Sequence, residues 1–538
     1  MSSDPKRDSE SNVSTRDTPE LDTEPRDGAD PAKRKELEET EEGLYRYADM
    51  PYYLDDIEDV QLYRKGGHHP THLGDMLNDR FEVVHKLGSG GFGLVWLCYD
   101  MVQEKWRAVK VMTAEYSKGE IENRIYGRLR EQASPKMLED SHIIIPVEEF
   151  WIQGPNGRHH CLVLPVLGGS VSQWRLGLEP DEQQTATEIR KYCYQVTEAV
   201  RFMHHLGICH GDLKPSNILV TLQGIEDMGR DQMLELIGEP ELWEVETRSG
   251  DDPAPRGPEY IVQPPQEDWW EKHMAGSIAI VDFGSAFFAG NPSDDNAWSI
   301  GYAAPEVLLC DNKALRGYHS DIWSLAATLF EIRALNCLFS GTFDLAVRDI
   351  EFYLGGLPEP YRSGRYKILA SRRGRQQTEE EETTFKVGEP VDATTWSSQP
   401  VEWQDSQKLR EAREHRVNGT GYIDLLAATL GKERHRYAKH VPGEPPSIEI
   451  KYRYPRDEVL QLSDLLGRML HYDPAKRITI DGVFIHPWVG GRIEVHTIRR
   501  LKDGRAGSSC LVVGVALLIY TLASWLRQPP RSTSLNDT

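Results

Sequence analysis

The stretch that decides the fold is His210-Gly211-Asp212-Leu213-Lys214-Pro215-Ser216-Asn217, followed after an interval by Asp282-Phe283-Gly284. In this arrangement Asp212 can accept a proton from an incoming hydroxyl group, and Lys214 can neutralise charge on a transferring phosphoryl group. Asn217 and Asp282 offer the hard oxygen ligands that magnesium prefers. The pattern therefore predicts phosphoryl transfer from ATP with Mg²⁺, with Asp212 and Lys214 as catalytic residues and Asn217 and Asp282 as metal ligands.

A glycine-rich segment, residues 88–95, precedes these motifs. Its spaced glycines would let backbone amides approach phosphate oxygens without side-chain clashes. Apolar, β-branched and aromatic runs flank it at 81–85 and 94–99, so we expect a strand-turn-strand flap and not the helix-opening turn of a dinucleotide-binding fold. Taken alone, the segment also fits a hairpin without a ligand. The cofactor-binding residues predicted here are Gly88, Ser89, Gly90, Gly91, Phe92, Gly93 and Val95.

A short predicted strand, residues 106–112, supplies the next two cofactor-binding residues. Because side chains alternate between the faces of a strand, Ala108 and Lys110 point the same way. Ala108 would line an adenine slot, and Lys110 would reach the α- and β-phosphates. Apolar residues at helical spacing after Glu122 place it at the start of a helix, where it could hold the lysine head in register. Glu120 is the rival for that role.

An apolar strand that runs into two glycines, residues 160–169, is the form expected of a hinge between two lobes. Pro165 has no amide to donate. Adenine would therefore use the carbonyl of Pro165 together with the amide and carbonyl of Leu167. The alternative interpretation is an ordinary core strand.

In this order the motifs are those of a protein kinase. They predict an α+β, bilobal protein kinase fold, with a small antiparallel β-sheet N-lobe containing one main helix and a larger, mostly helical C-lobe. Ala304-Pro305-Glu306 closes the activation segment. We expect Glu306 to pair with Arg477 in the interior and Asp321 to brace the catalytic-loop backbone. Lysine two residues after Asp212 is typical of serine/threonine kinases.

More specific motifs are Leu62-Tyr63-Arg64-Lys65-Gly66-Gly67-His68-His69-Pro70, Val84-His85-Lys86-Leu87-Gly88, Cys161-Leu162-Val163-Leu164 and His210-Gly211-Asp212, where most kinases place arginine in the middle. With these motifs the chain resembles the SR-protein kinases, especially their fungal relatives, over roughly residues 60–490. An acidic insertion at 221–276 lies where that family carries its spacer. It is short for the family, and Phe283 replaces the leucine of better-known members. The resemblance implies phosphorylation of serines in arginine/serine-rich proteins and a role in the regulation of mRNA splicing.

The charge balance agrees with a basic protein substrate. The formal net charge is −23, with 85 acidic residues against 62 basic ones, which should repel nucleic acid and attract basic peptides. We expect no direct binding of nucleic acid and a monomeric state. Gly211 offers no guanidinium to a phosphorylated activation loop, so we also expect activity without phosphorylation of that loop.

The domain organisation follows from the motif positions and from composition. The seven cysteines form no CxxC pair, which is typical of reduced thiols in an intracellular protein of the cytoplasm or nucleus. We predict a disordered acidic and polar tail at 1–45, an N-terminal extension packing on the kinase at 46–80, a kinase domain at 81–490 divided into an N-lobe (81–166) and a C-lobe (167–490) with insertions at 221–276 and about 362–420, and a C-terminal tail at 491–538.

The C-terminal tail contains an uncharged apolar stretch, residues 510–526, between Arg505 and Arg527. As a helix it would span about 26 Å, near the ~30 Å core of a bilayer. We expect a tail anchor that would hold the kinase on the cytosolic side of a membrane. The alternatives are a helix packed on the large lobe and an aberrant gene model. Release of the full-length protein by alkaline carbonate would exclude the anchor.

Two other functions compete with a protein kinase. A pseudokinase scaffold would bind basic partners through its acidic surface without transferring phosphate. A kinase acting on small molecules is disfavoured by the segment at 304–306, which in protein kinases shapes a platform for peptides. An Asp212→Ala variant separates the enzyme from the scaffold.

Overall fold

The computed structural model describes residues 46–48, 50, 57–117, 120–178, 182–266, 268–292, 298–310, 316–372, 422–432, 434–437, 449–452 and 454–490. The predicted tail at 1–45, most of the predicted insertion at 362–420 and the stretch 510–526 lie outside them. Within the described ranges, no helix has both the length and the apolar character needed to cross a membrane.

A six-stranded antiparallel sheet forms the smaller lobe, with the strands in the order β1-β2-β3-β4-β6-β5. Two helices, α1 (Glu120–Gln132) and α2 (Pro135–Asp140), connect β4 to β5. Ser134 caps helix α2 at its N-terminus, because its hydroxyl accepts a hydrogen bond from the amide of Met137. The strands are β1 (Met76–Leu77), β2 (Phe81–Gly90), β3 (Gly93–Asp100), β4 (Lys105–Met112), β5 (Glu148–Gly154) and β6 (Gly157–Leu164). The predicted small antiparallel sheet with one main helix is confirmed.

The chain that precedes the sheet packs into its core. Val60 and Tyr63 are buried in one cluster with Trp96 and other sheet residues. The carboxylate of Glu58 accepts a hydrogen bond from the Tyr63 hydroxyl and forms an ion pair with Lys86 of β2. Both members of this pair are buried, so residues 57–75 complete the interior of the small lobe.

Most of the remaining elements form the larger lobe, whose core surrounds helix α7, an element buried along nearly its whole length. The helices that follow β6 in the chain are α3 (Val171–Gly177), α4 (Glu182–His205), α5 (Arg230–Ile237), α6 (Pro305–Leu308), α7 (Tyr318–Ala334), α8 (Phe343–Leu354), α9 (Tyr361–Arg372), α10 (Tyr422–Leu430), α11 (Arg456–Met469), α12 (Ile480–Ile485) and α13 (Pro487–Gly490). The mostly helical large lobe is as predicted.

Within the residues that the structure describes, four two-stranded antiparallel ribbons accompany these helices. The pairs are β7 (Ile208–Cys209) with β12 (Phe287–Phe288), β8 (Ile218–Leu222) with β11 (Met274–Ile280), β9 (Leu242–Glu244) with β10 (Tyr260–Val262), and β13 (Arg434–Tyr437) with β14 (Glu449–Tyr452). The catalytic loop lies between β7 and β8, and the partners of these two strands, β12 and β11, lie on either side of Asp282 in the chain.

The chain between β8 and β11, residues 223–273, packs on the small lobe although it begins and ends in strands of the large lobe. The two guanidinium NH groups of Arg230 bind the carboxylate of Glu82 in β2 at 2.7 and 2.8 Å. Trp106 of β4 donates its ring N–H to the carbonyl of Met228 at 2.8 Å. Apolar side chains, among them Met233, are buried with Trp106 in a separate cluster. The insertion is therefore folded against the sheet.

The predicted pairing of Glu306 with Arg477 is confirmed. Two hydrogen bonds of 2.6 and 2.7 Å join the guanidinium to the carboxylate, and both side chains are fully buried. The hydroxyl of Ser320 donates a third bond to Glu306. Because a buried charge without a partner is costly, this pair ties the end of the activation segment to the chain before α12.

Candidate active site

A cleft of about 650 Å³ lies between the β2–β3 turn, β4, the segment after β6, the catalytic loop and the end of β11. Most of the residues predicted for the catalytic, cofactor and metal sites line it: Gly88, Ser89, Gly90, Gly91, Phe92, Gly93, Val95, Ala108, Lys110, Pro165, Leu167, Lys214, Asn217 and Asp282. Glu122 and Asp212 are not among the residues that line this cleft. The fold thus brings most of the predicted site residues together in this cleft.

The glycine-rich segment forms the tight turn between β2 and β3, which confirms the predicted strand-turn-strand form. A methyl group added at Gly88 or Gly91 would meet no protein atom within 4 Å, so this backbone faces open space. Gly93 is different, because a Cβ there would lie 2.3 Å from the carbonyl oxygen of Val111 in β4. Gly93 therefore allows β3 to pack on β4, while the other two leave room for a ligand.

Lys110 reaches Asp282, with Nζ 3.0 Å from Oδ1. Burial alone would lower the pKa of Lys110, but the carboxylates of Asp282 and Glu122 outweigh it and raise that pKa above its usual value. Burial would likewise raise the pKa of Asp282, yet the charge and hydrogen bond of Lys110 hold it below its usual value. Both groups are therefore charged near neutral pH.

The predicted contact between Lys110 and Glu122 is only partly right. Glu122 is buried and near enough to raise the pKa of Lys110. However, no ion pair within 4.0 Å joins the two among the residues the structure describes. Glu122 Oε1 instead accepts a hydrogen bond from the Tyr126 hydroxyl at 2.6 Å. Tyr126 lies one helical turn after Glu122 and is its hydrogen-bond donor, while Asp282 forms the ion pair with the Lys110 ammonium. The side chain of the rival, Glu120, lies outside the described residues.

Phe283 connects helix α1 to the catalytic loop. Its ring is fully buried and meets the edge of Tyr126 at a centroid distance of 5.8 Å. On its other side it packs against His210, with the ring centroids 5.5 Å apart. Asp282, the residue before Phe283, has a left-handed backbone conformation with φ of 64°. Burial of Phe283 thus holds Asp282 at the cleft, next to Lys110.

Asp212 lies directly beside the cleft, in contact with residues that line it. Its carboxylate is 2.7 Å from Lys214 Nζ and accepts a hydrogen bond from the backbone amide of Ser299 at 2.9 Å. The side-chain amide of Asn217 donates to the carbonyl oxygen of Asp212 at 2.9 Å and to Oδ2 at 3.3 Å. Lys214 also donates to the hydroxyl of Ser299 at 2.7 Å. These four residues therefore form one hydrogen-bonded cluster that fixes the Asp212 carboxylate.

The catalytic-loop backbone is held from below by Asp321, as predicted. Its two carboxylate oxygens accept hydrogen bonds from the amides of His210 and Gly211 at 2.7 and 3.0 Å. His204 adds a third contact at 3.1 Å. Burial would raise the pKa of Asp321, but these hydrogen bonds hold it below its usual value, so Asp321 stays a carboxylate.

The segment after β6 has the features expected of a hinge. Pro165 and Leu167 line the cleft. In the described part of the chain, no hydrogen bond is recorded for the amide of Leu167, which leaves that donor for a ligand. The next two residues are fixed: the amide of Gly168 donates to the carbonyl of Val220, and the amide of Val220 donates to that of Gly169. The hinge is thus anchored to β8 at one end and open to the cleft at the other.

Sequence reasoning missed residues that line or support the site. Ser299 of the activation segment binds both Asp212 and Lys214, and a lone serine gives no signal for such a role. The insertion supplies a wall of the cleft through Pro264, Pro265, Gln266, Trp269 and Trp270. The adjacent tryptophans were the available signal, because such large apolar side chains are rarely left exposed.

The residues of the cleft fit magnesium-bound ATP. The open space at Gly88 and Gly91 suits phosphate oxygens, and the free amide of Leu167 suits a base. The nitrogen of the Asn217 amide is occupied by Asp212, so its oxygen remains as a metal ligand beside the Asp282 carboxylate. Carboxylate and amide oxygens are the donor set that magnesium prefers.

Comparison with known proteins points the same way. Residues 81–235 match the family model described as the protein kinase domain. Serine/threonine-protein kinase spk-1 of Caenorhabditis briggsae is 33% identical over 174 residues, 31% of this chain and 15% of that protein. SRSF protein kinase 3 of Homo sapiens is 32% identical over 168 residues, 31% of this chain and 30% of that protein. Protein kinase dsk1 of Schizosaccharomyces pombe is 35% identical over 173 residues, 31% of each chain. The match thus spans at most 31% of the length of these relatives.

Proposed function

We propose that the chain is a serine/threonine protein kinase of the SR-protein kinase type, because residues 81–235 match the protein kinase domain and are similar to spk-1, SRSF protein kinase 3 and dsk1. It would transfer the γ-phosphoryl group of ATP to serines of basic, arginine/serine-rich proteins. The observation that carries the proposal is the hydrogen-bonded cluster of Asp212, Lys214, Asn217 and Ser299 beside a cleft that contains the Lys110–Asp282 pair.

Each residue has a chemical role in this proposal. Magnesium-bound ATP supplies the phosphoryl group. Asp212, oriented by Asn217 and Ser299, accepts the proton of the serine hydroxyl or aligns it. Lys214 neutralises charge on the transferring group, and Lys110 holds the α- and β-phosphates. Asn217 and Asp282 would hold the metal.

The substrate class rests on charge and on relatives. The name of one relative, SRSF protein kinase 3, assigns SRSF proteins as the substrates of that protein. The net charge of −23 favours basic partners over nucleic acid. We extend the proposal to a role in splicing regulation, to a monomer, and to the cytoplasm or nucleus as the compartment. Whether residues 510–526 anchor the chain in a membrane stays a prediction, tested by carbonate extraction.

The presence of the proton acceptor, both lysines and both metal ligands at or beside the cleft favours an enzyme over a pseudokinase scaffold. The decisive experiment compares wild type with Asp212→Ala using a positional library of serine peptides. We expect transfer by wild type, strongest to arginine-rich peptides. Asp212→Ala should bind ATP normally but lose transfer by about 10² to 10⁴-fold, the usual contribution of a positioned acid or base. Equal rates in the two proteins would overturn the enzymatic proposal, and equal use of charge-neutral peptides would overturn the substrate class.

A further inference from the structure

The glycine-rich turn between β2 and β3 is held by a segment outside the nucleotide cleft. Gly90 pairs with Gly93, so Phe92 lies at the tip of this turn, where it also lines the cleft. Its ring meets the ring of Tyr116 edge to face, with centroids 4.9 Å apart and an angle of 82° between the planes. The carbonyl of Phe92 accepts a hydrogen bond from the amide of Thr113 at 2.9 Å. Both partners belong to residues 113–117, between β4 and α1, which we call the linker.

The turn needs such support because of its composition. Four of the six residues at 88–93 are glycines, which lose more conformational freedom than any other residue when they are fixed. A Cβ at Gly88 or Gly91 would meet no atom within 4 Å, so the protein does not crowd the turn at these positions. Phe92 has the one large side chain in this stretch. A turn that is already fixed before a ligand arrives binds it at a lower cost in entropy.

The linker is itself fixed by two other parts of the small lobe. The amides of residues 114 and 115 donate to the carbonyls of Gly67 and Gly66 at 3.0 and 2.7 Å. The buried hydroxyl of Ser117 donates to the carbonyl of Thr113 at 2.7 Å and accepts a hydrogen bond from the amide of His160 in β6 at 2.9 Å. The N-terminal extension and the sheet thus hold the linker in place beneath the turn.

The side chain of Tyr116 contributes to the turn more than to the core of the lobe. It is 46% exposed and does not line the cleft. Its ring contacts Phe92, and an edge-to-face pair of rings is favourable beyond the area that it buries. Removing this ring should therefore free the turn while the fold of the lobe stays intact.

We propose that Tyr116 is a positioning residue for the nucleotide, because its ring seats Phe92 and so holds the glycine-rich turn over the phosphate site. This inference rests on the proposed function, since it takes the cleft to be the site of ATP. Tyr116 would act on the affinity for nucleotide and not on the transfer step. Through the bonds of the linker to Gly66 and Gly67, the N-terminal extension contributes to nucleotide binding as well.

Binding is measured without a peptide, by calorimetric titration with magnesium and the non-hydrolysable analogue β,γ-imido-ATP. The dissociation constant should rise about three- to tenfold in Tyr116→Ala, the size expected for the loss of one aromatic pair. Tyr116→Phe keeps the ring and should bind as wild type does. The matched control, Trp151→Ala, removes a ring of the same lobe that is 37% exposed and does not line the cleft, and it should also bind normally. An unchanged dissociation constant for Tyr116→Ala would overturn the proposal.

A double-mutant cycle tests whether Tyr116 acts through Phe92. Phe92→Ala should itself weaken nucleotide binding, and Phe92→Ala/Tyr116→Ala should bind no more weakly than Phe92→Ala alone. Hydrogen exchange of residues 88–93 in the nucleotide-free protein should be faster in Tyr116→Ala than in wild type and unchanged in Trp151→Ala. Additive losses in the cycle, or equal exchange in Tyr116→Ala and wild type, would show that Tyr116 does not seat the turn.

Kinetics separate this proposal from the proposed function. In Tyr116→Ala the KM for ATP should rise about three- to tenfold, while kcat and the KM for the serine peptide stay constant. If transfer is intact but the KM for ATP equals that of wild type, the positioning role is wrong and the enzyme assignment stands. If no peptide is phosphorylated but the dissociation constants differ as expected, the positioning role stands and the enzyme assignment fails.

Discussion

The indole of Trp270, from the insertion, lies directly against Gly169 of the hinge. A Cβ added at Gly169 would be 2.7 Å from Cζ2 of that ring, closer than side-chain carbons approach in proteins. Trp270 is buried, and the carbonyl of Gly169 accepts a hydrogen bond from the amide of Val220. The indole and the hinge backbone therefore cannot easily move apart. The insertion is thus packed on the same short segment that would bind adenine.

This contact predicts that Gly169→Ala destabilises the protein by about 1 to 3 kcal/mol, the usual cost of overpacking, and weakens ATP binding. The added methyl group should displace Trp270, which lines the nucleotide cleft, and so change the shape of the cleft. Chemical unfolding and the KM for ATP measure the two effects. Gly127→Ala is the control: a Cβ at Gly127 meets no atom within 4 Å, and alanine should favour helix α1. Equal unfolding midpoints for Gly169→Ala and wild type would contradict the prediction.

A second prediction concerns Gly211, in the position where most kinases carry arginine. Its φ is +81°, and a Cβ there would lie 2.2 Å from the carbonyl oxygen of Ser285. Asp321 holds its amide, so the loop cannot shift to make room. We expect Gly211→Ala to lower kcat by more than about tenfold, because Asp212 would be displaced by an ångström or so. Gly341→Ala, where a Cβ meets nothing within 4 Å, should have wild-type kinetics. A wild-type kcat for Gly211→Ala would refute the argument.

The absence of a side chain at Gly211 leads to a third prediction, about regulation. Phosphate on an activation segment orders it by meeting a guanidinium or ammonium group, and position 211 offers neither. The Asp212 carboxylate is already held by Lys214, Asn217 and Ser299. Enzyme purified from bacteria and treated with phosphatase should therefore retain its kcat. A phosphatase-treated protein that is inert, and recovers on rephosphorylation, would show that the activation segment does need phosphate.

The buried pair of Glu58 and Lys86 supports a fourth prediction, about stability. Burial lowers the pKa of Lys86, and the carboxylate of Glu58 opposes this effect. Glu58→Gln would leave an ammonium in the core without its partner, which typically costs about 3 to 5 kcal/mol. The double variant Glu58→Gln/Lys86→Met should be more stable than Glu58→Gln alone, since no buried charge remains. Urea unfolding at neutral pH compares the proteins, and a Glu58→Gln midpoint equal to that of wild type would exclude this account.

The sequence predicted three of the four residues of the catalytic cluster because these three lie within one loop. Eight consecutive residues contain Asp212, Lys214 and Asn217, so their spacing alone brings the side chains together. The partner of Lys110 was harder to predict, because two carboxylates from distant parts of the chain compete for one ammonium. Only the packing of Phe283 and the hydrogen bond from Tyr126 to Glu122 decide that Asp282 is the direct contact.

The role of the insertion could not be read from its residues. Its composition is acidic and proline-bearing, and such composition usually indicates a solvated loop. Its fold depends on partners far along the chain, such as Glu82 for Arg230 and the Met228 carbonyl for Trp106. These contacts join residues that are far apart in the chain and that meet only on the folded sheet, so local sequence patterns cannot predict them. The wall of the nucleotide cleft that the insertion forms was therefore not predicted from any sequence motif.

The last prediction concerns the paired histidines of the N-terminal extension. Burial lowers the pKa of His68 and of His69 to about 4. Between pH 6.5 and 4 the unfolded chain therefore binds protons at these residues that the folded chain does not. The free energy of unfolding should fall as the pH falls through this window, by about 1.4 kcal/mol per pH unit for each histidine.

His69→Asn removes one of these two contributions. The ring of His69 packs on His159, with centroids 5.0 Å apart, and His159 also lowers the pKa of His69. Unfolding free energies at several pH values from 7 to 4 should fall less steeply in the variant, by about 1.4 kcal/mol per unit. Above pH 7 the two proteins should show the same dependence on pH, because neither histidine titrates there. Parallel curves throughout the acidic range would mean that His69 is protonated as readily in the folded chain as in the unfolded one.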